Sequence, residues 1–221
     1  MKIIAKIRND YDSKFGVPRQ AGLVSNDRST VIFEKEYRIA EALRGIENYT
    51  HLWLLWEFSE CTEKEWSPTV RPPRLGGNKR MGVFATRSTF RPNSIGLSCV
   101  KLISVDKTEE YGTVLTVEGA DLMNGTPIID IKPYLPYTDA HPEASNGFAL
   151  TEKAVLKTVI PDELKKLIPE EKLSSLISVL SQDPRPQYID DPERIYGMTY
   201  AGMNIKFKVI NDTAEVIGIE K

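Results

Sequence analysis

The chain is short of the residues that most often advertise chemistry. Its 221 residues include two cysteines, Cys61 and Cys99, and two histidines, His51 and His141. Two isolated cysteines make neither a disulfide framework nor a CxxC pair, which points to a reduced, cytoplasmic setting. So few thiols and imidazoles fall short of a zinc site, and no metal is expected. Both cysteines read as small core residues rather than nucleophiles. No apolar run reaches the length of a membrane helix, and the apolar part of MKIIAKIRNDY is too short for a secretion signal. GxSxG, HExxH, a Walker loop and a GxGxxG turn after a strand are all missing, which removes the common hydrolase, NTPase and dinucleotide signatures. The glycines of LGGN stand between prolines and a basic pair and read as a loop.

The most informative absence is of acid. The formal net charge is −2, yet no Asp or Glu occurs from Trp66 to Val105, while Arg71, Arg74, Lys79, Arg80, Arg87, Arg91 and Lys101 all do. Two readings fit. The tract is either a solvated face or an electrostatic footprint for RNA, for which a local patch suffices even at low net charge. Arg87 and Arg91 flank Ser-Thr-Phe at the end of a predicted strand, MGVFATR. There a planar guanidinium can grip a carboxylate or phosphate, or else cap carbonyls and pair with distant acids.

What is present is ordinary: 41% hydrophobic and 27% charged residues describe a globular protein with ample core. MKIIAKIR, RSTVIFEK, HLWLLWEF, MGVFATR, LSCVKLISV, GTVLTVEG and TPIIDIKPY read as strands, and YRIAEALRGIENY as one helix. HLWLLWEF is too apolar for a surface element, with Leu52, Leu54, Trp56 and Phe58 on one face and Trp53 and Leu55 on the other. Turns rather than helices separate most strands, which predicts a mainly β fold: an antiparallel, closed or nearly closed β-barrel over residues 1–145. The Pro-rich IKPYLPYTDAHPEASNG is the expected boundary. Residues 146–221 then form a small α+β domain: helix broken at Pro169, apolar face of Leu173, Leu176, Ile177 and Leu180, and strands IYGMTYAG, MNIKFKVI and AEVIGIEK. DPRPQYIDDPER cannot be helix or central strand. In DLMNGTPIID, Asp121, Asn124 and Asp130 surround a turn that is either a polar ligand site or a plain Asn-Gly corner. His51 is read as structural, and Trp53 and Trp56 as core.

KFGVPRQ, HLWLLWEF, RPPRLGGNKRMGVFATRSTFRPNSIGLS, DLMNGTPIIDIKPYLPY and QDPRPQY together resemble the YaeB/TsaA-like (TrmO) family of tRNA (adenine-N6)-methyltransferases, and the likeness covers nearly the whole chain. The resemblance implies an S-adenosyl-L-methionine (SAM)-dependent enzyme on a β-barrel scaffold. It would methylate threonylcarbamoyladenosine next to the anticodon of threonine tRNA, as a homodimer with cofactor near the subunit interface. The basic tract would then hold the anticodon loop's phosphates. Carried over residue by residue, the cofactor pocket draws on Gln20, Ala21, Gly22, Ser59, Glu60, Arg87, Leu97, Asp121, Leu122, Met123 and Asn124. Carboxylates would take the cofactor's ammonium or ribose hydroxyls, Arg87 its carboxylate, and Leu97 and Leu122 would line the adenine. The family often has Asp where Asn124 stands and Pro where Ser94 stands. Lys79, Arg80, Arg91, Arg185 and Tyr188 are the expected RNA contacts, though Arg185 and Tyr188 equally suit docking of the C-terminal domain. Asp130 and Tyr137 are the candidates for a general base. The rivals are a SAM-dependent methyltransferase of another RNA or small molecule, and a non-catalytic RNA-binding module.

Overall fold

A computed structural model describes residues 1–61, 65–72, 75, 77–149, 155–185 and 191–220. Its first part contains β1 (Ala5–Arg8), β2 (Arg28–Phe33), β3 (His51–Glu57), β4 (Thr69–Val70), β5 (Met81–Gly82), β6 (Ile95–Thr108), β7 (Gly112–Glu118), β8 (Pro127–Pro133) and a short α1 (Pro136–Asp139). Six of these strands form a closed antiparallel ring in the order β1-β2-β7-β6-β3-β8, with Ala5 of β1 opposite Ile128 of β8 to complete it. A ring leaves no open edge, so every strand spends its backbone groups on two neighbours. The inside is filled by the inward set of each strand's alternation: Ala5, Ile7, Val31, Leu52, Leu54, Val100, Leu115, Val117 and Ile128 are all buried. In β3 the alternation places Leu52, Leu54 and Trp56 inward, as expected. Phe58 lies past the strand end and meets Trp56 edge-on, ring centroids 4.3 Å apart.

The fold departs from the sequence pattern in identifiable places. Residues 35–48 are three separate 3₁₀ turns, not one helix, because Ile39 is extended and Gly45 adopts φ 89°. A left-handed glycine ends a helix, and so short a segment gains little from propensity alone. MGVFATR is strand only at Met81–Gly82; a 3₁₀ turn over Val83–Ala85 follows, so Arg87 sits in a loop ahead of β6.

The second part contains β9 (Lys157–Val159), α2 (Asp162–Lys165), α3 (Glu170–Ser181), β10 (Tyr196–Tyr200), β11 (Met203–Ile210) and β12 (Thr213–Glu220). They form a four-stranded sheet ordered β10-β11-β12-β9, with β9 parallel to β12. Asn211 and Asp212 turn β11 into β12 with positive φ at both positions, as a two-residue hairpin of right-handed twist requires. α3 buries Leu176, Val179 and Leu180 against this sheet, while Ile177 faces outward, contrary to expectation. The rest of the predicted face, Leu173, Leu176 and Leu180, does pack into the C-terminal core, and Val179 joins it in place of Ile177.

The two parts share a core. Residues 9–27, the loop between β1 and β2, place Tyr11 and Val24 inside the C-terminal cluster, and Phe15 stacks on Phe207 of β11. Gly16, at φ 103°, lies so close to β10 that a Cβ there would stand 2.5 Å from Met198 Sδ. Only glycine fits there. The KFGVPRQ segment is thereby pressed between the ring and the sheet.

Candidate functional site

A cleft of about 1000 Å³ opens at one end of the ring, at the upper end of roughly 300–1,000 Å³ typical of ligand pockets. Four segments wall it: the loop from Lys14 to Ala21, the exit of β3 from Trp53 to Glu60, the loop and strand from Thr86 to Cys99, and the β7–β8 connection from Asp121 to Thr126.

A hydrogen-bonded relay lies at its base. Trp56 Nε1 donates to Ser98 Oγ (2.9 Å), and the Ser98 hydroxyl donates to Asp121 Oδ1 (2.5 Å). Ser98 occupies an inward position of β6, between buried Gly96 and Val100, and is only 1% exposed. A buried hydroxyl needs a partner, and both of its bonds are spent on the relay. Gly96 makes room for the indole: a Cβ there would overlap the ring at Trp56 Cε2. Burial pushes the Asp121 carboxyl above its usual range, while the Ser98 bond and the nearby Arg87 charge pull it back. Arg87 Nη1 in turn donates to Gln20 Oε1 across the cleft. A half-buried carboxylate and a guanidinium thus share one space with the apolar Phe58, Phe90, Ile95 and Leu97.

Of the residues expected to hold a cofactor, Gln20, Ala21, Ser59, Glu60, Arg87, Leu97, Asp121, Met123 and Asn124 line this cleft. Leu122 does not; it is buried in the ring's core, because the chain alternates there and turns Asp121 and Met123 outward. Gly22 lies behind the wall, its N–H donated to the Gly119 carbonyl (2.8 Å). Asn124 supports the surrounding loops: its Nδ2 donates to Asp12 Oδ1 (2.9 Å) and its Oδ1 accepts from Asn9 N (3.2 Å). An Asp in its place would set two carboxylates together. Neither base candidate reaches the cleft. Asp130 is paired with Lys132 (2.8 Å) on the outside of β8, and Tyr137 on α1 is 86% exposed.

Among the expected RNA contacts, Lys79 and Arg80 are exposed, as is Arg71, and none of the three forms an ion pair among the described residues. Arg91 lines the cleft but caps its own loop, Nη1 donating to the carbonyl of Thr86 at 2.7 Å, with its guanidinium over Phe84. Arg185 faces inward and grips Asp183 with two bonds (2.8 and 3.1 Å), both side chains 13% exposed. That is a contact within its own loop, with a residue two positions earlier in the chain. Tyr188 lies outside the described residues. Sequence reading missed Ser98, whose signal is a polar residue at an inward β position. It also missed Trp53, which lines the cleft from the outer face of β3 and donates to Asp139 Oδ2 (2.9 Å). Among the described residues no group of three or more His, Cys, Asp or Glu is placed to hold a metal ion, and no helix is long and apolar enough to cross a membrane.

The chain matches the tRNA-methyltransferase O N-terminal domain over residues 6–140 and the TrmO C-terminal domain over residues 157–221. It is 43% identical to the tRNA (adenine(37)-N6)-methyltransferase of Escherichia coli K12, across 98% of this chain and 96% of that one. A Pyrococcus abyssi relative named "Probable S-adenosyl-L-methionine-binding protein" is 33% identical over 66% of this chain and 73% of its own. A crystal structure of TrmO from Pseudomonas aeruginosa superposes with a TM-score of 0.78 at 30% identity, covering 99% of this chain and 97% of that one.

Proposed function

The chain belongs to the tRNA-methyltransferase O family, and from that premise we propose that it is a SAM-dependent enzyme that methylates N6 of adenine 37 in tRNA. The observation that carries this reading is the pairing of a carboxylate with a guanidinium in one cleft beside the acid-free loop.

The donor set of the cleft fits SAM, which has an ammonium, a carboxylate, ribose hydroxyls and an adenine. Arg87 suits the carboxylate. Asp121, desolvated and held by Ser98, suits the ammonium or a ribose hydroxyl, and a cation beside it would offset the burial that now raises its pKa. Leu97, exposed at the cleft wall, offers apolar surface to a ring. The bound cofactor supplies an activated methyl on a sulfonium. The protein's part is alignment: the Trp56–Ser98–Asp121 relay fixes the carboxylate's rotamer, and the Gln20–Arg87 bond fixes the guanidinium. Lys79 and Arg80, exposed and without an acidic partner among the described residues, would take phosphates of the anticodon loop.

The finer reading is that the acceptor is threonylcarbamoyladenosine of threonine tRNA. Its N6 already bears a carbonyl, so its lone pair is delocalised and loss of the proton assists attack. With Asp130 and Tyr137 outside the cleft, no general base is assigned. We further take residues 1–145 as a β-barrel methyltransferase domain, residues 146–221 as its C-terminal companion, and the working form as a cytoplasmic homodimer.

Two measurements test the proposal. Calorimetry with SAM should show saturable binding; its absence would favour a non-catalytic RNA-binding module. Mass spectrometry of tRNA nucleosides from a deletion strain should show loss of one N6-methylated species. Unchanged tRNA nucleosides with intact SAM binding would direct the activity to another RNA or a small molecule.

A further inference from the structure

The cleft wall from Arg19 to Ala21 has no regular secondary structure, and its position depends on tethers at either end. Downstream, Gly22 is bonded to Gly119 in a contact so close that a Cβ on Gly119 would lie 3.1 Å from Gly22 N and Cα. Upstream, Arg19 reaches the C-terminal part of the molecule. Its Nη2 donates to the carbonyls of Asp183 (3.0 Å) and Arg185 (2.7 Å), in the loop that follows α3. Those carbonyls are themselves held in place, because the Arg185 guanidinium closes a ring of two bonds on the Asp183 carboxylate and Asp183 takes φ 49°.

From Arg19 the bonding continues toward the cleft. Gln20 Nε2 donates to the Arg19 carbonyl (2.5 Å), and Gln20 Oε1 accepts from Arg87. Arg87 then acts on Asp121 through its charge. An unbroken path of contacts therefore runs from the loop after α3 to the carboxylate at the base of the cleft. Every link is a hydrogen bond with a fixed partner except the last.

We propose that Arg19 is a positioning residue: by bridging the Asp183 and Arg185 carbonyls it holds Gln20 and Arg87 in their binding geometry, so the C-terminal part of the chain sets the cleft's affinity for SAM. This inference rests on the reading of the cleft as the SAM site. Its mechanism is pre-organisation, since a wall segment free to move must be ordered again each time ligand binds.

The test uses the full chain with Arg19→Ala and Arg19→Lys. Arg19→Ala should raise both Kd and KM for SAM about tenfold, the size of effect expected for losing charge-assisted bonds. At saturating SAM, kcat should stay within about twofold of wild type, the pattern of lost ground-state binding. Arg19→Lys keeps one donor and should fall between. A role in folding alone would lower kcat through the fraction of active enzyme and leave KM for SAM unchanged, which would overturn the proposal. Should Arg19→Ala not fold, Arg19→Lys combined with Arg87→Ala decides. Because Arg19 acts through Arg87, the two losses in SAM affinity should be less than additive; full additivity refutes the path. A wild-type titration run alongside separates the two levels. Wild type without SAM binding overturns the cofactor reading and this inference with it, whereas wild-type binding with an indifferent Arg19→Lys overturns this inference alone.

Discussion

Replacing Asp27 with Asn should change how the protein's stability depends on pH, and the structure sets the size of the change. Asp27 is 1% exposed, at the seam between the ring and the C-terminal sheet. Its Oδ2 accepts from the Tyr11 hydroxyl at 2.9 Å, and its Oδ1 has no hydrogen-bond partner among the described residues. Burial raises its pKa from 3.8 to about 6; the Tyr11 bond and Lys172 oppose this, while Asp10 and Glu118 add to it. Between those two values the folded protein keeps a proton that the unfolded chain has already released. Stability is therefore fully retained below pH 3.8 and falls as pH rises through about 6. The interval is roughly two pH units at 1.36 kcal/mol each, so the loss is about 3 kcal/mol. Asn still accepts from Tyr11 but never ionises. The stability of Asp27→Asn relative to wild type should thus rise by about 3 kcal/mol between pH 4 and pH 7, read from urea unfolding at each pH. A constant offset matters little here, because an unpaired amide costs about the same at every pH. Parallel curves for the two proteins would show that Asp27 titrates normally and refute the argument.

Arg87→Ala should weaken SAM binding by about 1.5–3 kcal/mol in calorimetry, the range for a bond to a charged group; unchanged affinity in the folded variant would remove Arg87 from the cofactor's contacts. Lys79→Ala with Arg80→Ala should lower tRNA affinity, reduce the slope of log K against log salt by about two, and spare SAM binding. A wild-type slope would make the tract a solvated face. Gly96→Ala would put a methyl into the Trp56 indole at Cε2, so thermal unfolding should show a loss of about 1–3 kcal/mol and SAM affinity should fall with the relay. Wild-type stability would mean the indole has room that the structure denies it.

The strands of the ring were the legible part of the sequence, since a closed sheet with a filled interior enforces strict alternation, and HLWLLWE displays it without interruption. Alternation also carries information outside the strands and about their polar members. Asp121 and Met123 share a face, so Leu122 between them belongs to the core, and Ser98 belongs to an inward set that is otherwise apolar or glycine. Spacing misled where a single backbone conformation decides the outcome: Ile39, Ala42, Leu43 and Ile46 recur as in a helix, but Gly45 in the left-handed region breaks the run. β9 gave no signal, because three residues pairing parallel with β12 carry no local turn or alternation. The roles of Arg91 and Arg185 were open in sequence for a related reason. A guanidinium can reach many acceptors, and the loop conformation selects near neighbours here, the Thr86 carbonyl and the Asp183 carboxylate.

Closure of the ring through β1 and β8 also governs how the chain comes to be folded. β1 can form a hairpin with β2 early in synthesis, but its other edge waits for β8, and until Ile128 has left the ribosome the interior residues Ala5 and Ile7 face water on that side. Tyr11 and Val24 wait longer still, for β10 and β11 to cover them. Contacts so distant in sequence fold slowly and leave strand edges exposed in the interval. A nascent chain stalled anywhere between these points would offer an unpaired β1 or β2 edge to its neighbours. Lys6 and Arg8, pointing outward along β1, place positive charge on that edge during the wait, the kind of residue that discourages one unfinished chain from adding itself to another.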